Sequence, residues 1–347
     1  RETLGQFEQA KNFGSLIEPK LRDPAETLRV VKARDFGGDL LLKEVQERVI
    51  AVLRMAEALT PKYHVVVANP PYMGGKGMNG GLGGWLKSHF PNSNSDLFSA
   101  FMDRILDSLP RGGFAGLMTP FTWMFLSSFT ALRDKLTSDF VLSSLVRPEY
   151  HAFFDSAYVP ICAFTIEAKA DAGLPGTFVD LQDFYGAAFQ PIKALEAIKN
   201  PNASWRHSAT SADFRRIPGQ PIAYWVSDQF RRAFETLPSF REVAAPRAGL
   251  ATGDNPRFQR EWYEVPLSVI AFDCESNEES LSRSEKWYPC NSGGNFRKWF
   301  GNNEVVVNWH SDGAEIRNFK DVNGKLRSRP QNTDYFFRPG VTWTKLS

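Results

Sequence analysis

The distribution of apolar residues predicts a helix followed by a buried strand in the first part of the chain. Between residues 40 and 59, apolar side chains recur with the spacing of one helical face, at positions 42, 45, 49, 52, 53, 56 and 59. Pro61 follows this run, so we expect the helix to end before it. The unbroken apolar run at 65–68, with the sequence VVVA, predicts a strand.

The same patterns predict that helices and strands continue to alternate. Further helices and extended segments are expected at about 96–109, 114–118, 129–137, 140–146 and 158–166. Alternation of this kind is typical of an α/β sheet with helices on its faces. We therefore expect residues 1–167 to form one α/β domain.

The rest of the 347-residue chain has a different composition. Residues 168–242 are rich in Pro and Gly, which predicts a connector with some helix. Residues 243–347 are rich in Trp, Phe, Asn and Arg and contain short β-like runs such as 304–309. They predict the start of a mixed α+β domain.

Composition and charge exclude only a few classes of function and location. A formal charge of +2 permits a nucleic-acid partner without indicating one. The three cysteines form no C-x-x-C pair and no H-E-x-x-H is present, so no metal site is expected. No apolar run approaches the ~20 residues that span a bilayer, and we expect a cytoplasmic protein with no membrane partner. The chain starts with Arg1 instead of Met, which indicates a piece of a longer protein.

The strongest chemical signal is the sequence Asn69-Pro70-Pro71-Tyr72, directly after the predicted strand. Two consecutive prolines end a strand, because neither can donate a ladder hydrogen bond. Polar groups are thereby presented at the carboxyl end of a strand, where open α/β sheets bind ligands. The alternative is a simple strand-ending turn, since Asn and Pro are both common in turns.

These four residues suit a planar amino group such as adenine N6, whose lone pair is delocalised into the ring. Acceptors on both of its hydrogens would free that lone pair, and the Asn69 side chain and the Pro70 carbonyl offer two. The ring of Pro71 fixes the direction of the Pro70 carbonyl. Tyr72 offers a flat face on which an extruded base could stack, and a methyl donor would then approach in line.

A glycine-rich stretch at 74–84 follows, and we expect it to be a mobile lid without regular structure. Residues 75–80 within it match G-x-G-x-x-G. A dinucleotide-binding turn requires a strand directly before the glycines and a helix after them. Because Pro70 to Tyr72 intervene, the nucleotide interpretation is disfavoured.

The tetrad and its surroundings resemble motif IV of the amino-methyltransferases that use S-adenosylmethionine, in the adenine-N6 branch. Segments 95–98 (SDLF), 113–120 and 154–159 resemble the later motifs of the same families. The resemblance implies a Rossmann-like methyltransferase sheet, of which this chain carries the carboxyl-terminal part. It also implies that Asn69, Asp96 and Phe98 contact S-adenosylmethionine, and that Phe154 supports the flipped base, with Phe153 as the alternative.

A finer resemblance is to the large PglX-type adenine methyltransferases of BREX phage-defence systems. It rests on the stretches 13–17 (FGSLI), 71–74 (PYMG), 77–79 (GMN), 287–289 (WYP), 296–303 and 306–309. This family implies double-stranded DNA as the substrate, marking of host DNA, and other phage-defence proteins as candidate partners.

One part of such an enzyme is missing from the sequence. Nothing in residues 1–64 resembles the strand and glycine-rich turn that hold the methionine part of the cofactor, because Gly37-Gly38-Asp39 lacks a preceding apolar strand. We therefore expect the chain alone to bind S-adenosylmethionine weakly or not at all.

Residues 247–255, followed by Phe258, resemble the entry to a target-recognition region, so 243–347 is interpreted as the start of that domain. Arg297 and Lys298, beside Trp299, are candidate DNA contacts, and Lys76 is a candidate phosphate contact. The alternative is that the aromatic residues form a hydrophobic core.

Two other functions stay open at this point. The chain could be a DNA-binding or assembly module without catalysis of its own, because half of the cofactor site is absent. It could also be a methyltransferase for protein or RNA, since both classes contain Asn-Pro-Pro-Tyr.

Overall fold

The chain folds into two compact units, Arg1–Pro238 and Ser239–Ser347. The structure is a computed structural model, and it describes residues 2–153, 158, 160–169, 171, 173–295 and 297–342. No helix in this described part is long and apolar enough to cross a membrane.

A six-stranded sheet organises the first unit. Its strands are β1 (Val65–Ala68), β2 (Phe114–Pro120), β3 (Val141–Arg147), β4 (Ile161–Glu167), β5 (Pro175–Asp180) and β6 (Arg206–Thr210). They lie in the order β1-β2-β4-β3-β5-β6. The pairs β1–β2 and β3–β5 are parallel, and the other neighbours are antiparallel. The predicted α/β class is confirmed, with a mixed sheet.

Ten helices accompany this sheet among the described residues. They are α1 (Glu2–Gln6), α2 (Ala10–Phe13), α3 (Pro24–Ala33), α4 (Leu40–Leu59), α5 (Gly80–His89), α6 (Leu97–Ser108), α7 (Thr130–Asp139), α8 (Phe189–Lys199), α9 (Ser211–Arg215) and α10 (Asp228–Thr236). The helices predicted from apolar spacing are confirmed as α4, α6 and α7. The α4 helix begins at an Asp39 side chain that accepts from two backbone N–H groups, and it ends before Pro61.

The main hydrophobic core lies between α6, α7 and the sheet. Phe98, Met102 and Leu106 of α6 pack there with Leu117 of β2 and Leu145 of β3. Seven residues of the 12-residue α6 helix are buried, so tertiary packing holds this helix firmly against the strand that follows it. The amino-terminal end of α6 is thereby fixed beside the end of β1.

The segment 168–242 differs from the predicted connector, because it adds β5 and β6 to the sheet. Its prolines and glycines were expected to break regular structure. Pro175 instead opens β5, and Gly176 fits where the chain passes β3 so closely that a Cβ atom would lie 2.0 Å from the Leu142 carbonyl oxygen. The glycine therefore permits strand packing here, and Phe178 of the same strand is fully buried.

The glycine-rich stretch 74–84 also differs from the expectation of an irregular lid, since α5 begins at Gly80. The Asn79 side chain caps this helix by accepting from the Leu82 backbone N–H at 2.9 Å. Leu82 and Leu86 are buried against Leu16 and Leu97. Capping and burial together outweigh the low helix propensity of four glycines.

The second unit is built on short elements. Its helices are α11 (Phe240–Val243), α12 (Asn255–Phe258), α13 (Asn277–Ser282) and α14 (His310–Arg317), and its strands are β7 (Leu250–Ala251), β8 (Gln259–Glu261), β9 (Trp287–Pro289), β10 (Val305–Asn308) and β11 (Arg329–Pro330). Strands β8-β10-β9 form one antiparallel sheet, and β7 pairs with β11. The β-like run at 304–309 is confirmed as β10.

Aromatic residues of the second unit divide into two groups. Phe258, Tyr288 and Trp309 are buried in its core. Trp299 and Phe300, by contrast, are 89% and 86% exposed. The core interpretation therefore holds for the first group and fails for the second.

Candidate active site

The tetrad Asn69–Tyr72 lies at the carboxyl ends of two parallel strands. Ala68, the last residue of β1, pairs with Leu117 of β2, so both strands end at the same edge of the sheet. Pro70 is buried, whereas Asn69 and Tyr72 are exposed. The structure therefore presents the two polar side chains of the tetrad to solvent on a rigid base.

The Tyr72 side chain closes back onto this edge. Its hydroxyl donates to Asn69 Oδ1 at 2.7 Å and lies 3.2 Å from the Met118 carbonyl oxygen of β2. Partial burial raises the pKa of Tyr72 above its ordinary value, so the hydroxyl is a neutral donor at physiological pH. Tyr72 thus orients the Asn69 amide and joins the ends of β1 and β2.

Behind Tyr72 lies the buried ring of Phe98. The two ring centroids are 6.4 Å apart with an interplanar angle of 90°, an edge-to-face contact. Phe98 itself is only 1% exposed and packs on Phe129, with the two ring centroids 5.6 Å apart. The structure therefore places Phe98 in the core, as a support for Tyr72, although the resemblance implied a cofactor contact for it.

Asp96 connects the loop after Tyr72 to the start of α6. Its Oδ1 atom accepts hydrogen bonds from the backbone N–H groups of Met73 at 2.9 Å and Phe98 at 3.3 Å. The main chain of Asp96 also forms an antiparallel β-bridge with Gly74. Leu97 in turn donates its backbone N–H to the Met73 carbonyl at 3.0 Å. Asp96 Oδ2 has no hydrogen-bond donor among the described residues.

The position of the glycine-rich loop follows from contacts that the sequence did not reveal. Asn79 Nδ2 donates to Asn12 Oδ1 at 2.9 Å, which joins the loop to the end of α2. Phe13, the next residue, stacks on Trp85 of α5 with centroids 4.4 Å apart. The fold thus brings together two stretches that are distant in the sequence and that both contribute to the resemblance, 13–17 and 77–79.

A second polar and aromatic cluster lies at the same sheet edge as Asn69. Strands β3 and β5 run in the same direction as β1 and β2, and they end at Arg147 and Asp180. Arg147 Nη2 lies 2.8 Å from Asp180 Oδ2, which also accepts from the Tyr224 hydroxyl at 3.0 Å. The Arg147 guanidinium lies 5.2 Å from the ring of Trp225.

Sequence reasoning missed this cluster because Asp180 and Trp225 fall in the segment interpreted as a connector. A charged residue at the end of an apolar strand, as in 175–180, is the signal that could have identified it.

The remaining predicted site residues are not brought to the tetrad by any contact that the structure describes. Lys76 is exposed in the turn closed by the Gly77 N–H and the Gly74 carbonyl at 2.8 Å. Arg297 and Lys298 are exposed and belong to the second unit. Phe154 lies outside the described residues, and Phe153 beside it is exposed.

Within the described ranges, no three His, Cys, Asp or Glu side chains are grouped as metal ligands would be. The acceptors at the site are the Asn69 amide oxygen, the main-chain carbonyl of Pro70 and the Asp96 carboxylate. It lies at the edge of an α/β sheet, beside a tyrosine ring. This arrangement can hold a planar donor group against fixed acceptors.

The chain is similar to known restriction-modification and adenine-specific methylases. The family of Eco57I restriction-modification methylases matches residues 29–154, which include β1, the tetrad and Asp96.

Two curated relatives match essentially the whole chain. The adenine-specific methyltransferase PglX of Lacticaseibacillus casei (strain Zhang) is 34% identical over 361 residues, covering 100% of this chain and 29% of the relative. The adenine-specific methyltransferase BrxX of Escherichia coli O9:H4 (strain HS) is 35% identical over 352 residues, covering 99% of this chain and 27% of the relative. The predicted resemblance to PglX-type adenine methyltransferases is confirmed. The chain spans less than a third of the length of these relatives.

Likeness to solved structures is weaker. A structure that describes complex assembly and conformational transition of a type I R-M system aligns with a TM-score of 0.39 and 14% identity, covering 63% of this chain and 55% of the other.

Proposed function

We propose that the chain is the target-base half of the active site of a site-specific DNA adenine-N6 methyltransferase that marks host DNA in phage defence. The observation that carries the proposal is the position of Asn69. Its amide oxygen stands at the carboxyl end of β1, held by Tyr72, one residue before a carbonyl whose direction two prolines fix. The similarity of essentially the whole chain to parts of the adenine-specific methyltransferases PglX and BrxX, at 34% and 35% identity, supports adenine as the base.

In this proposal, Asn69 Oδ1 and the Pro70 carbonyl accept the two hydrogens of the exocyclic amino group. A carbonyl oxygen has two lone pairs, so the hydrogen bond from Tyr72 leaves one for the base. Accepting both hydrogens concentrates electron density on the nitrogen, which needs its lone pair to attack. The ring of Tyr72, 43% exposed, offers a face for the base.

S-adenosylmethionine would supply the methyl group in a direct transfer. Asp96 and Asn69 are the described residues that fit contact with it, because Asp96 Oδ2 has no donor in the described part of the chain and Asn69 is exposed. Phe98 would support the pocket from behind Tyr72, since it is buried. Residues 2–64 form helices without a strand, so none of them offers the strand and glycine-rich turn that would hold the methionine part of the cofactor.

The finer assignments belong to the same proposal. The sheet is interpreted as the carboxyl-terminal part of a Rossmann-like methyltransferase domain, with a target-recognition region after residue 242. Lys76, Arg297 and Lys298 are proposed DNA contacts, and Phe154 the support of the flipped base. The substrate is double-stranded DNA in the cytoplasm, and other phage-defence proteins are the candidate partners.

The test is transfer of a labelled methyl group from S-adenosylmethionine to unmodified double-stranded DNA. It is measured for this chain and for a version extended at its amino terminus. We expect the extended protein to transfer methyl groups to adenine. Asn69→Ala should lower the rate at least about 100-fold, because the side-chain acceptor for one hydrogen of the reacting amino group is lost. Asn323→Ala, which changes an exposed asparagine of the second unit, should cause no loss. Equal rates for the extended protein and its Asn69→Ala variant would overturn the proposal.

A second candidate is a DNA-binding or assembly module without catalysis. The helical character of residues 2–64 favours it, because no strand there could carry a cofactor-binding turn. DNA binding by an extended protein that transfers no methyl group would support this candidate. Transfer to protein or RNA but never to DNA would support the third class of enzyme.

A further inference from the structure

The second unit contains four exposed arginines that are held in pairs against two aromatic rings. The guanidinium carbons of Arg257 and Arg327 lie 5.0 Å and 5.1 Å from the ring centroid of Phe319. Those of Arg247 and Arg338 lie 4.7 Å and 5.3 Å from the centroid of Tyr335. The two cations of each pair are therefore no more than about 10 Å apart, close enough to contact one polyanion together.

None of these four arginines has a carboxylate within ion-pair distance among the residues that the structure describes. Other arginines of the same unit do: Arg283 lies 2.8 Å from Asp273, and Arg317 lies 3.0 Å from Asp312. A guanidinium that rests on an aromatic ring keeps its full charge and its outward N–H donors. The four side chains are thus exposed positive charges, held on aromatic rings and without a carboxylate partner among the described residues, so they can bind an external anion.

The two chain segments that carry these arginines are fastened to each other. Strand β7 pairs with β11 through Ala251 and Arg329, and Asn332 Nδ2 donates to the Ala248 carbonyl at 2.9 Å. Arg247 Nη2 also donates to the Tyr335 hydroxyl at 2.9 Å. At Gly253, a Cβ atom would lie 2.7 Å from the carbonyl carbon of Arg327, so the two backbones touch. The four arginines therefore lie on two segments, 247–257 and 327–338, which the two-stranded β7–β11 ribbon joins.

Beside the ribbon lies a polar cavity of about 900 Å³. It is lined by residues 249–256, by Gln259, by residues 290–293 and by Arg327. One carboxylate, that of Asp254, also lines it, and this group already accepts the Arg257 backbone N–H at 3.2 Å as a helix cap. The backbone N–H groups of glycine-rich segments and the guanidinium groups of arginines both donate hydrogen bonds to phosphate oxygens, so such surfaces bind phosphate.

We propose that Arg247, Arg257, Arg327 and Arg338 form a phosphate-contacting ribbon that binds the DNA backbone. The inference rests on the proposed function for the identity of the polyanion. Paired planar cations at fixed positions match phosphates that repeat along a strand, and they contribute affinity and register independently of sequence. The ribbon is distinct from Arg297 and Lys298, which the sequence alone suggested.

The test is the affinity of this chain for a double-stranded DNA oligonucleotide as a function of salt concentration. The variants are the double substitutions Arg257→Ala/Arg327→Ala and Arg247→Ala/Arg338→Ala. The control removes two cations from the opposite edge of the first unit's sheet, Arg111→Ala/Lys169→Ala, since these residues precede β2 and follow β4. For each arginine pair we expect roughly tenfold weaker binding and a salt slope smaller by about 2.

Unchanged affinity and slope in both variants, or equal losses in the control, would overturn the proposal. A wild-type measurement guards against variants that fail to fold: DNA should protect the four arginines, but not Arg111, from modification by phenylglyoxal. Protection by polyglutamate equal to that by DNA would also contradict it, because the partner would then be an acidic protein. Arginine-dependent DNA binding, together with no methyl transfer by the amino-terminally extended protein, would refute the proposed function alone. Methyl transfer by the extended protein with DNA binding that does not depend on the four arginines would refute this inference alone.

Discussion

The Tyr72 hydroxyl donates a hydrogen bond to Asn69 Oδ1 over 2.7 Å. The two residues are three positions apart and separated by two prolines, whose fixed φ angles bring the tyrosine back over the asparagine. The tetrad is therefore one structural unit, in which an aromatic ring and an amide acceptor are oriented together. Because the ring also rests on Phe98, the orientation of Asn69 depends on the packing of α6.

We predict that the ring of Tyr72 matters more than its hydroxyl. Tyr72→Phe keeps the edge contact with Phe98 and loses one partly exposed hydrogen bond, worth about 1 kcal/mol, so activity should fall less than about tenfold. Tyr72→Ala removes the stacking face, which is worth about 1–3 kcal/mol, so the activity of this variant should be lower by a further factor of about ten or more. Methyl transfer and the fluorescence of 2-aminopurine at the target position measure both effects. Equal defects in the two variants would assign the role to the hydroxyl instead.

We predict that Asp96 controls the order of the loop after Tyr72. Asp96→Ala removes the acceptor for the Met73 and Phe98 N–H groups and should lower the free energy of unfolding by about 1–2 kcal/mol. Trypsin should then cleave after the exposed Lys76 faster than in the wild type. Asp96→Asn retains a side-chain oxygen acceptor and serves as the control. Faster cleavage in both variants would show that the charge, and not the acceptor, holds the loop.

Two glycine substitutions should have opposite effects on stability. In Gly176→Ala the added Cβ would lie 2.0 Å from the Leu142 carbonyl oxygen, a backbone atom held in β3, so the loss should be about 3 kcal/mol or more. At Gly83, inside α5, no atom lies within 4 Å of an added Cβ, and Gly83→Ala should stabilise the fold by up to about 1 kcal/mol. Chemical denaturation measures both. Similar values for the two would mean that β3 and β5 are not in close contact.

The buried Cys162 thiol should make stability fall at alkaline pH. Burial raises the pKa of Cys162 to about 12, while an unfolded thiol ionises near its ordinary value of 9. Between these values the unfolded state releases a proton that the folded state keeps, so stability is full below about pH 9 and declines above it.

Cys162→Ala lacks this ionisation and serves as the reference. Below pH 9 the wild type should be more stable, because it buries a larger side chain in the core. Above pH 9 the difference in the free energy of unfolding between the two proteins should narrow. A difference that stays constant from pH 7 to pH 11 would contradict the assignment, as would rapid reaction of native Cys162 with a thiol reagent at pH 8.

Local patterns predicted the elements whose causes are local. The apolar spacing over 40–59 yields α4, capped by its own Asp39, and the run at 65–68 yields β1. The two prolines after Asn69 end that strand wherever it lies in a sheet. Local patterns misjudged Gly80–Gly84, because the helix there depends on burial of Leu82 and Leu86 against residues far away in the chain.

The sequence by itself determined the α/β class, the main helices, and the tetrad with its likeness to adenine methyltransferases. Only the tertiary structure decided that β5 and β6 complete the sheet, that Phe98 supports Tyr72 from the core, and that Asp96 binds the loop at Met73. The physical reason is the separation along the chain over which each interaction acts. Helical periodicity and proline geometry act within a few residues, whereas the Tyr72 contact with Met118 and the fit of Gly176 against Leu142 join positions more than 30 residues apart.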